Sequence, residues 1–239
     1  MNERALSAQA AELTREFEGA FGAELAALSL HGQGVALWWP ARLVAVLRPE
    51  GIASLHRAHA LLIRWRKRGL EAPLFLAPAD FRRALDAFPL EFFNLKLSCQ
   101  VLSGADVWAG VRPEPEMLRL QCERELRGKT IVLRRLWAAS TLYEEFQELV
   151  AASVPLFLGV FRGLLSLGGQ AAPLDPPEVI AAAAQAFHVD EGLFTTLAQV
   201  AQGEGKRPGR EALHALVERY LAQCERLAQA ADELSAAGA

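Results

Sequence analysis

The first 113 residues alternate short apolar runs with stretches of helical periodicity. Apolar runs that end at glycine or proline are typical of buried strands, whereas apolar positions three and four residues apart indicate amphipathic helices. The pattern predicts helices over 3–20, 51–69 and 78–88, strands over 24–32, 41–49, 72–78 and 89–98, and an edge strand or turn over 99–104. Residues 1–113 are therefore predicted to form an α/β (α+β) domain with a small mixed sheet.

The pattern changes after Pro113, because helical periodicity continues from there to the end of the chain. A break near Ser140 predicts two antiparallel helices, and a proline-rich segment begins another. Asp190 is a candidate N-cap for a further helix, and residues 211–237 predict a long amphipathic helix. Residues 114–239 are therefore predicted to form an all-α helical bundle.

The most apolar stretch, residues 149–169, is nearly long enough to cross a bilayer. Arg162 and Pro155 interrupt it, and a charged residue inside a membrane-spanning helix costs roughly 2.5–3.5 kcal/mol. We therefore predict a buried core helix rather than a membrane span. The N-terminal segment lacks the apolar core of a signal peptide and predicts an amphipathic helix.

Composition narrows the functional classes. The chain has 239 residues, of which 52% are hydrophobic, and a formal net charge of −3. A charge this close to zero does not indicate nucleic acid or an anionic membrane as a partner. The three cysteines form no Cys-x-x-Cys pair, so neither a structural zinc site nor a disulfide framework is indicated. A cytoplasmic protein with reduced thiols is predicted.

Residues 28–47, LSLHGQGVALWWPARLVAVL, predict a strand, a glycine turn and a second strand. The order helix, strand, glycine turn, strand, helix, strand, followed by a helical bundle, resembles the minimal nucleotidyltransferases of the DNA polymerase beta-like superfamily. The segments 73–104 and 119–135 also resemble a little-studied branch of that superfamily. The resemblance implies a nucleotidyltransferase-like fold for the first domain.

The resemblance also implies a two-metal site. In the family, two carboxylates at alternate positions of the second strand and a third on a later strand hold Mg²⁺ ions that clamp the attacking oxygen and the leaving pyrophosphate. Here Arg42 and Val44 occupy the two positions on the second strand, and Glu91 falls near the third. No Asp or Glu occurs from Leu25 to Pro49. A catalytically degenerate binding or interaction module without a metal cofactor is therefore expected.

Some residues are candidates for retained nucleotide binding. Glycines in the turn would let backbone N–H groups approach a phosphate, and basic side chains of the bundle would line a groove beside the first domain. The candidates are Gly32, Gln33, Gly34, Arg127 and Lys129. A structural turn and ion pairs on a helix surface are the simpler interpretations of the same residues.

Two other interpretations stay open. An active, Mg²⁺-dependent nucleotidyltransferase would need carboxylates from elsewhere, and Asp80, Asp86 and Glu91 are the nearest candidates. Asp86 and Glu91 would have to converge with Glu50 across the sheet. A nucleic-acid-binding module would use the basic helix at 57–68, in which a tryptophan lies among four arginines and a lysine.

The terminal helix predicts a partner. Its Ala/Leu-rich face, over 210–236, offers apolar surface for self-association. A homodimer is therefore expected, with no membrane partner.

Overall fold

The computed structural model of the protein describes residues 3–32, 43–69, 71–139, 143–204 and 208–236. The chain divides into two compact units, Met1–Pro113 and Glu114–Ala239. Helices dominate the described residues, and the N-terminal unit also contains a four-stranded mixed sheet. The predicted small mixed sheet and the helices that follow it are confirmed. Membership of the nucleotidyltransferase superfamily stays a prediction.

The N-terminal unit combines one long helix, a small sheet and several short helices. Its strands are β1 (Leu25–Leu30), β2 (Leu43–Leu47), β3 (Leu74–Leu76) and β4 (Gln100–Gly104). Its helices are α1 (Glu3–Phe21), α2 (Pro49–Ala53), α3 (His59–Lys67), α4 (Asp80–Arg83) and α5 (Pro89–Leu97), with 3₁₀ segments at Gly22–Glu24 and Leu55–Ala58. Most of these elements fall where the sequence predicts them, and three predictions need correction. The helix predicted over residues 78–88 is shorter than expected, because α4 ends at Arg83 and turns follow it.

The sheet has the strand order β3-β2-β1-β4. β1 pairs antiparallel with β2 and with β4, whereas β2 pairs parallel with β3. The register places Ser29 beside Val44 on one side and beside Val101 on the other. β4 therefore forms an edge of the sheet, as the sequence predicts for residues 99–104.

The strand predicted over residues 89–98 is wrong, because this segment forms helix α5. Pro89 occupies the first turn, where backbone N–H groups have no partner within the helix, so its missing N–H costs no helical hydrogen bond. Leu90, Glu91 and Phe92 are all buried, so the helix has no wide polar face and no clear 3.6-residue period. Glu91, the candidate for the third carboxylate, therefore lies on a helix rather than on a strand.

The single helix predicted over residues 51–69 is interrupted. The backbone N–H of Ser54 donates to the Gly51 carbonyl at 3.1 Å and ends α2, and α3 begins only at His59. A Cβ added at Gly51 would lie 3.1 Å from the Leu47 Cβ. The short helix therefore packs closely on β2, and the chain must turn before α3 begins.

Apolar side chains cover both faces of the sheet. On one face, Leu28, Ala45 and Leu47 pack with residues of α1 and α3. On the other, Ala27, Val44 and Val46 form a cluster with Leu76, Phe92, Leu95, Trp108 and Val111. We call this second set the Val44 cluster. The resemblance would place a metal site at this position, so the side chains of this cluster determine whether a metal ion could bind there.

The C-terminal unit contains five helices in its described residues. They are α6 (Pro115–Ala139), α7 (Tyr143–Leu167), α8 (Pro176–Phe187), α9 (Glu191–Ala201) and α10 (Arg210–Ala236). The predicted break near Ser140 falls between α6 and α7. Asp190 caps α9 as predicted, because its Oδ1 accepts a hydrogen bond from the Leu193 N–H at 2.9 Å.

α7 supplies much of the apolar core. Among the described residues it is the one helix long and apolar enough to cross a membrane by length and composition, yet 61% of its most apolar window is buried inside the protein. Arg162 is buried too, and it donates hydrogen bonds to the carbonyl oxygens of Pro173 and Leu174 at 3.1 and 2.9 Å. These contacts support the core-helix interpretation, although burial lowers the pKa of this arginine.

α10 runs antiparallel to α6, because Arg127 and Arg134 of α6 form ion pairs with Asp232 and Glu225 of α10, respectively. Most large apolar side chains of α10 are buried, among them Leu216, Val217, Tyr220, Cys224 and Leu227, and Leu213, Leu221 and Leu234 are half-buried. The face that predicted self-association is therefore used inside the bundle. The homodimer stays a prediction that this face does not support.

Candidate functional site

The apolar core fills the position to which the resemblance would assign a carboxylate of the second strand. Val44 lies on β2 with 0% of its surface exposed, and it packs in the cluster with Phe92, Leu95 and Trp108. A catalytic divalent ion needs oxygen ligands and an open position for substrate. The residues that pack on Val44 in this cluster are apolar, and the hydroxyl of Ser29, its neighbour on β1, is already hydrogen-bonded to His31 and Trp108.

The described residues contain no group of three or more His, Cys, Asp or Glu side chains placed to hold a metal ion. The convergence of Glu50, Asp86 and Glu91 that an active enzyme would need is therefore not found. Asp80 has a structural contact instead, since its Oδ2 accepts a hydrogen bond from the Ala77 N–H at 2.6 Å.

Only the first residues of the glycine turn are described. His31 is buried directly after β1, and Gly32 is half-buried. Gln33 and Gly34, the other candidates in the turn, lie outside the described residues, and so does Arg42. The assignment of phosphate binding to this turn therefore rests on the sequence alone.

A buried polar cluster closes the end of β1 beside the turn, and we call it the His31 cluster. His31 Nδ1 lies 2.8 Å from the Leu95 carbonyl oxygen, and Nε2 lies 2.8 Å from Ser29 Oγ. The Trp108 indole N–H donates to the same hydroxyl at 3.0 Å. Because a carbonyl only accepts, Nδ1 carries the proton and the Ser29 hydroxyl donates to Nε2. The cluster thus joins β1 to α5 and to Trp108.

Ser29 and His31 have the arrangement of a nucleophile and its base, with a carbonyl that orients the ring. Both side chains are only 1% exposed, and the Ser29 oxygen already accepts the Trp108 N–H. Burial raises the pKa of the neighbouring Cys99 thiol to about 11, so that thiol stays protonated at neutral pH. The arrangement therefore serves structure rather than covalent catalysis.

The His31 cluster is expected to make the protein less stable in acid. Burial lowers the pKa of His31 from 6.5 to about 4. Between these values the unfolded chain binds a proton that the folded protein excludes, so stability rises with pH. We expect full stability above about pH 6.5 and a loss of up to about 3 kcal/mol as the pH falls towards about 4, measured by urea denaturation at each pH.

The substitution His31→Gln tests this assignment, because the amide keeps a donor and an acceptor but does not titrate. It should flatten the dependence of unfolding free energy on pH, even if it lowers stability at every pH. His56→Gln is the matched control, since His56 is exposed, and it should retain the wild-type slope. Equal slopes for His31→Gln and the wild type would contradict the assignment.

The basic helix of the nucleic-acid interpretation is largely paired with glutamates of the N-terminal segment. Its ion pairs join Arg57 to Glu24, Arg64 to Glu16 and Arg68 to Glu12. Trp65 is 1% exposed, and its indole N–H donates to Glu16 Oε2 at 2.6 Å. A buried ring cannot stack on a base, so this helix lacks the platform that the interpretation assumed.

The structure does not bring Arg127 and Lys129 together. Residues two apart lie about 200° apart around a helix, so these side chains leave opposite sides of α6. Arg127 forms ion pairs of 2.6 Å with both Glu123 and Asp232. Lys129 is half-buried, and burial lowers the pKa of its ammonium group. For Arg127, the contacts favour the interpretation as a helix-surface ion pair.

Sequence reasoning missed the His31 cluster. Trp108 lies 79 residues after Ser29, in a segment without a periodic pattern, so nothing local connects the two. One signal was present: a histidine that ends an apolar strand must find hydrogen-bond partners if it is buried.

Comparison of the chain with family models, with curated proteins and with solved structures finds no match.

Proposed function

We propose that the protein is a noncatalytic, nucleotidyltransferase-like binding or interaction module. The observation that carries the proposal is the complete burial of Val44 among the aromatic and aliphatic side chains of its cluster. The order α1, β1, β2, α2, α3, β3 follows the order that the resemblance implies, except that two short helices replace one, and α4, α5 and β4 precede the C-terminal helices. The shared part of this order supports the proposal.

Electrostatics disfavours two-metal catalysis at this position. Two Mg²⁺ ions bring four positive charges to one site, and acidic side chains must compensate for them. The isopropyl group of Val44 supplies no oxygen, and Arg42, two positions earlier in the sequence, adds a further positive charge. Ser29, the neighbour of Val44 across β1, is already engaged by His31 and Trp108.

Nucleotide binding without metal would use the turn that begins at Gly32. Glycine lets backbone N–H groups approach phosphate oxygens, and these contacts require no divalent ion. A retained nucleotide would therefore stabilise the protein equally with and without Mg²⁺.

Thermal unfolding of the full chain tests the proposal, with ATP or GTP present and with Mg²⁺ or EDTA. A ligand specific to the native state raises Tm by mass action. We expect no effect of nucleotide that depends on Mg²⁺, and no transfer of labelled nucleotide to protein or other acceptors. A rise in Tm that requires Mg²⁺ together with nucleotide, or any transfer, would overturn the noncatalytic assignment. A rise that is independent of metal would identify nucleotide as the ligand of the module.

A further inference from the structure

A cavity of about 600 Å³ opens beside helix α3 in the N-terminal unit. The residues that line it are His59, Leu62, Ile63, Arg66, Glu71 and Ala72. The first four have the spacing of one helix face, and the last two belong to the segment that leads to β3. The cavity therefore has walls from two segments of the chain, and its volume is typical of sites that bind small molecules.

Two opposite charges line this cavity without a partner. The neighbouring arginines of the same basic segment, Arg57, Arg64 and Arg68, form ion pairs with glutamates. Arg66 and Glu71 are exposed, and neither has an ion pair or hydrogen bond with any described residue, including the other. One cation and one anion of the cavity are therefore available to a ligand.

Apolar surface accompanies the two charges. Ile63 is 51% exposed, and Leu62 is half-buried and packs against the core cluster of the N-terminal unit. His59 and Arg66 are seven residues apart, which corresponds to about 10 Å along α3. A ligand with an apolar body can cover surface here that the free protein leaves in contact with water.

We propose that this cavity binds a zwitterion with an apolar body, of the class of a large apolar α-amino acid. Its carboxylate pairs with Arg66, its ammonium group pairs with Glu71, and its side chain covers Ile63. Charge complementarity selects this class, because a simple anion meets the like charge of Glu71 and a simple cation meets that of Arg66. A guanidinium also suits a carboxylate, since it can donate two parallel hydrogen bonds to it.

The proposal does not rest on the resemblance to nucleotidyltransferases. α3 packs on one face of the sheet, whereas the Val44 cluster lies on the other, and the cavity shares no lining residue with that cluster. Failure of the amino-acid site would leave the noncatalytic assignment unchanged, and the reverse also holds.

Titration of the full chain with L-phenylalanine, followed by NMR, tests the site. We expect a Kd on the order of 0.1–1 mM, because the ligand is small and the cavity is open. Glycine has both charges without the apolar body, so it should bind at least about tenfold more weakly. N-acetyl-L-phenylalanine lacks the ammonium group and L-phenylalanine amide lacks the carboxylate, and each should lose at least about tenfold. No saturation by L-phenylalanine up to about 10 mM, or equal binding of the four compounds, would overturn the proposal.

Charge-neutral variants test the two ion pairs separately. Arg66→Gln should weaken binding of L-phenylalanine about tenfold and remove its advantage over the amide. Glu71→Gln should likewise remove its advantage over the N-acetyl compound.

Arg64→Gln is the matched control for these variants. Arg64 lies on the same helix and is exposed, but it pairs with Glu16 and does not line the cavity. This variant loses the same charge and should bind L-phenylalanine like the wild type. Equal affinities of Arg64→Gln and Arg66→Gln would refute the role of Arg66.

Discussion

Replacing Gly104 with alanine is expected to destabilise the N-terminal unit by more than about 4 kcal/mol. Gly104 ends β4 with φ of +80°, a conformation that side chains with a Cβ strongly disfavour. An added Cβ would also lie 2.2 Å from the Ala26 carbonyl oxygen and 2.9 Å from the Ala27 Cα. Both are backbone atoms of β1, so no side chain can move aside. Urea denaturation followed by circular dichroism measures the loss.

Gly110→Ala is the control for this substitution. Gly110 is exposed in the same unit, and an added Cβ there would have no atom within 4 Å. We expect a change in unfolding free energy within about 0.5 kcal/mol for this variant. A Gly104→Ala protein with the wild-type denaturation midpoint would contradict the close approach of β4 to β1 at this position.

The elements that sequence reasoning located correctly have strong local signals. Residues 41–49 are a continuous apolar run between prolines, and β2 lies within them. α10 repeats its apolar positions at helical spacing over many turns. Residues 89–98 were misassigned because α5 is buried on several sides, and burial removes the polar face on which the distinction between helix and strand depends.

For the candidate site, the sequence predicts only that carboxylates are absent from the second strand. The sequence shows that β2 carries no carboxylate, but it does not show that Phe92 and Trp108 fill the space beside Val44. The same limit applies to charged side chains. The basic residues of 57–68 look free in the sequence, yet Arg68 pairs with Glu12, which lies 56 residues earlier. Contacts over such separations depend on the tertiary fold, and local patterns do not encode them.

Introducing an acidic residue on β2 is expected to unfold the protein rather than to create a metal site. Val44→Asp would place a carboxylate at a position with 0% exposure, surrounded by apolar side chains. A buried carboxylate without partners either becomes protonated or pays a large desolvation cost. We expect a loss of more than about 4 kcal/mol of unfolding free energy at neutral pH, measured by urea denaturation.

Val101→Asp makes the same chemical change on the same sheet at a different depth. Val101 is 39% exposed on the edge strand β4, so its carboxylate would remain hydrated, and we expect a loss below about 1.5 kcal/mol. Addition of Mg²⁺ distinguishes a side chain enclosed in the core from one that faces a metal site, because an ion that binds the native state raises Tm. If Mg²⁺ raised the Tm of a folded Val44→Asp protein but not that of Val101→Asp, residue 44 would face a metal site. A loss of stability that Mg²⁺ does not relieve would be the result expected of a side chain enclosed in the core.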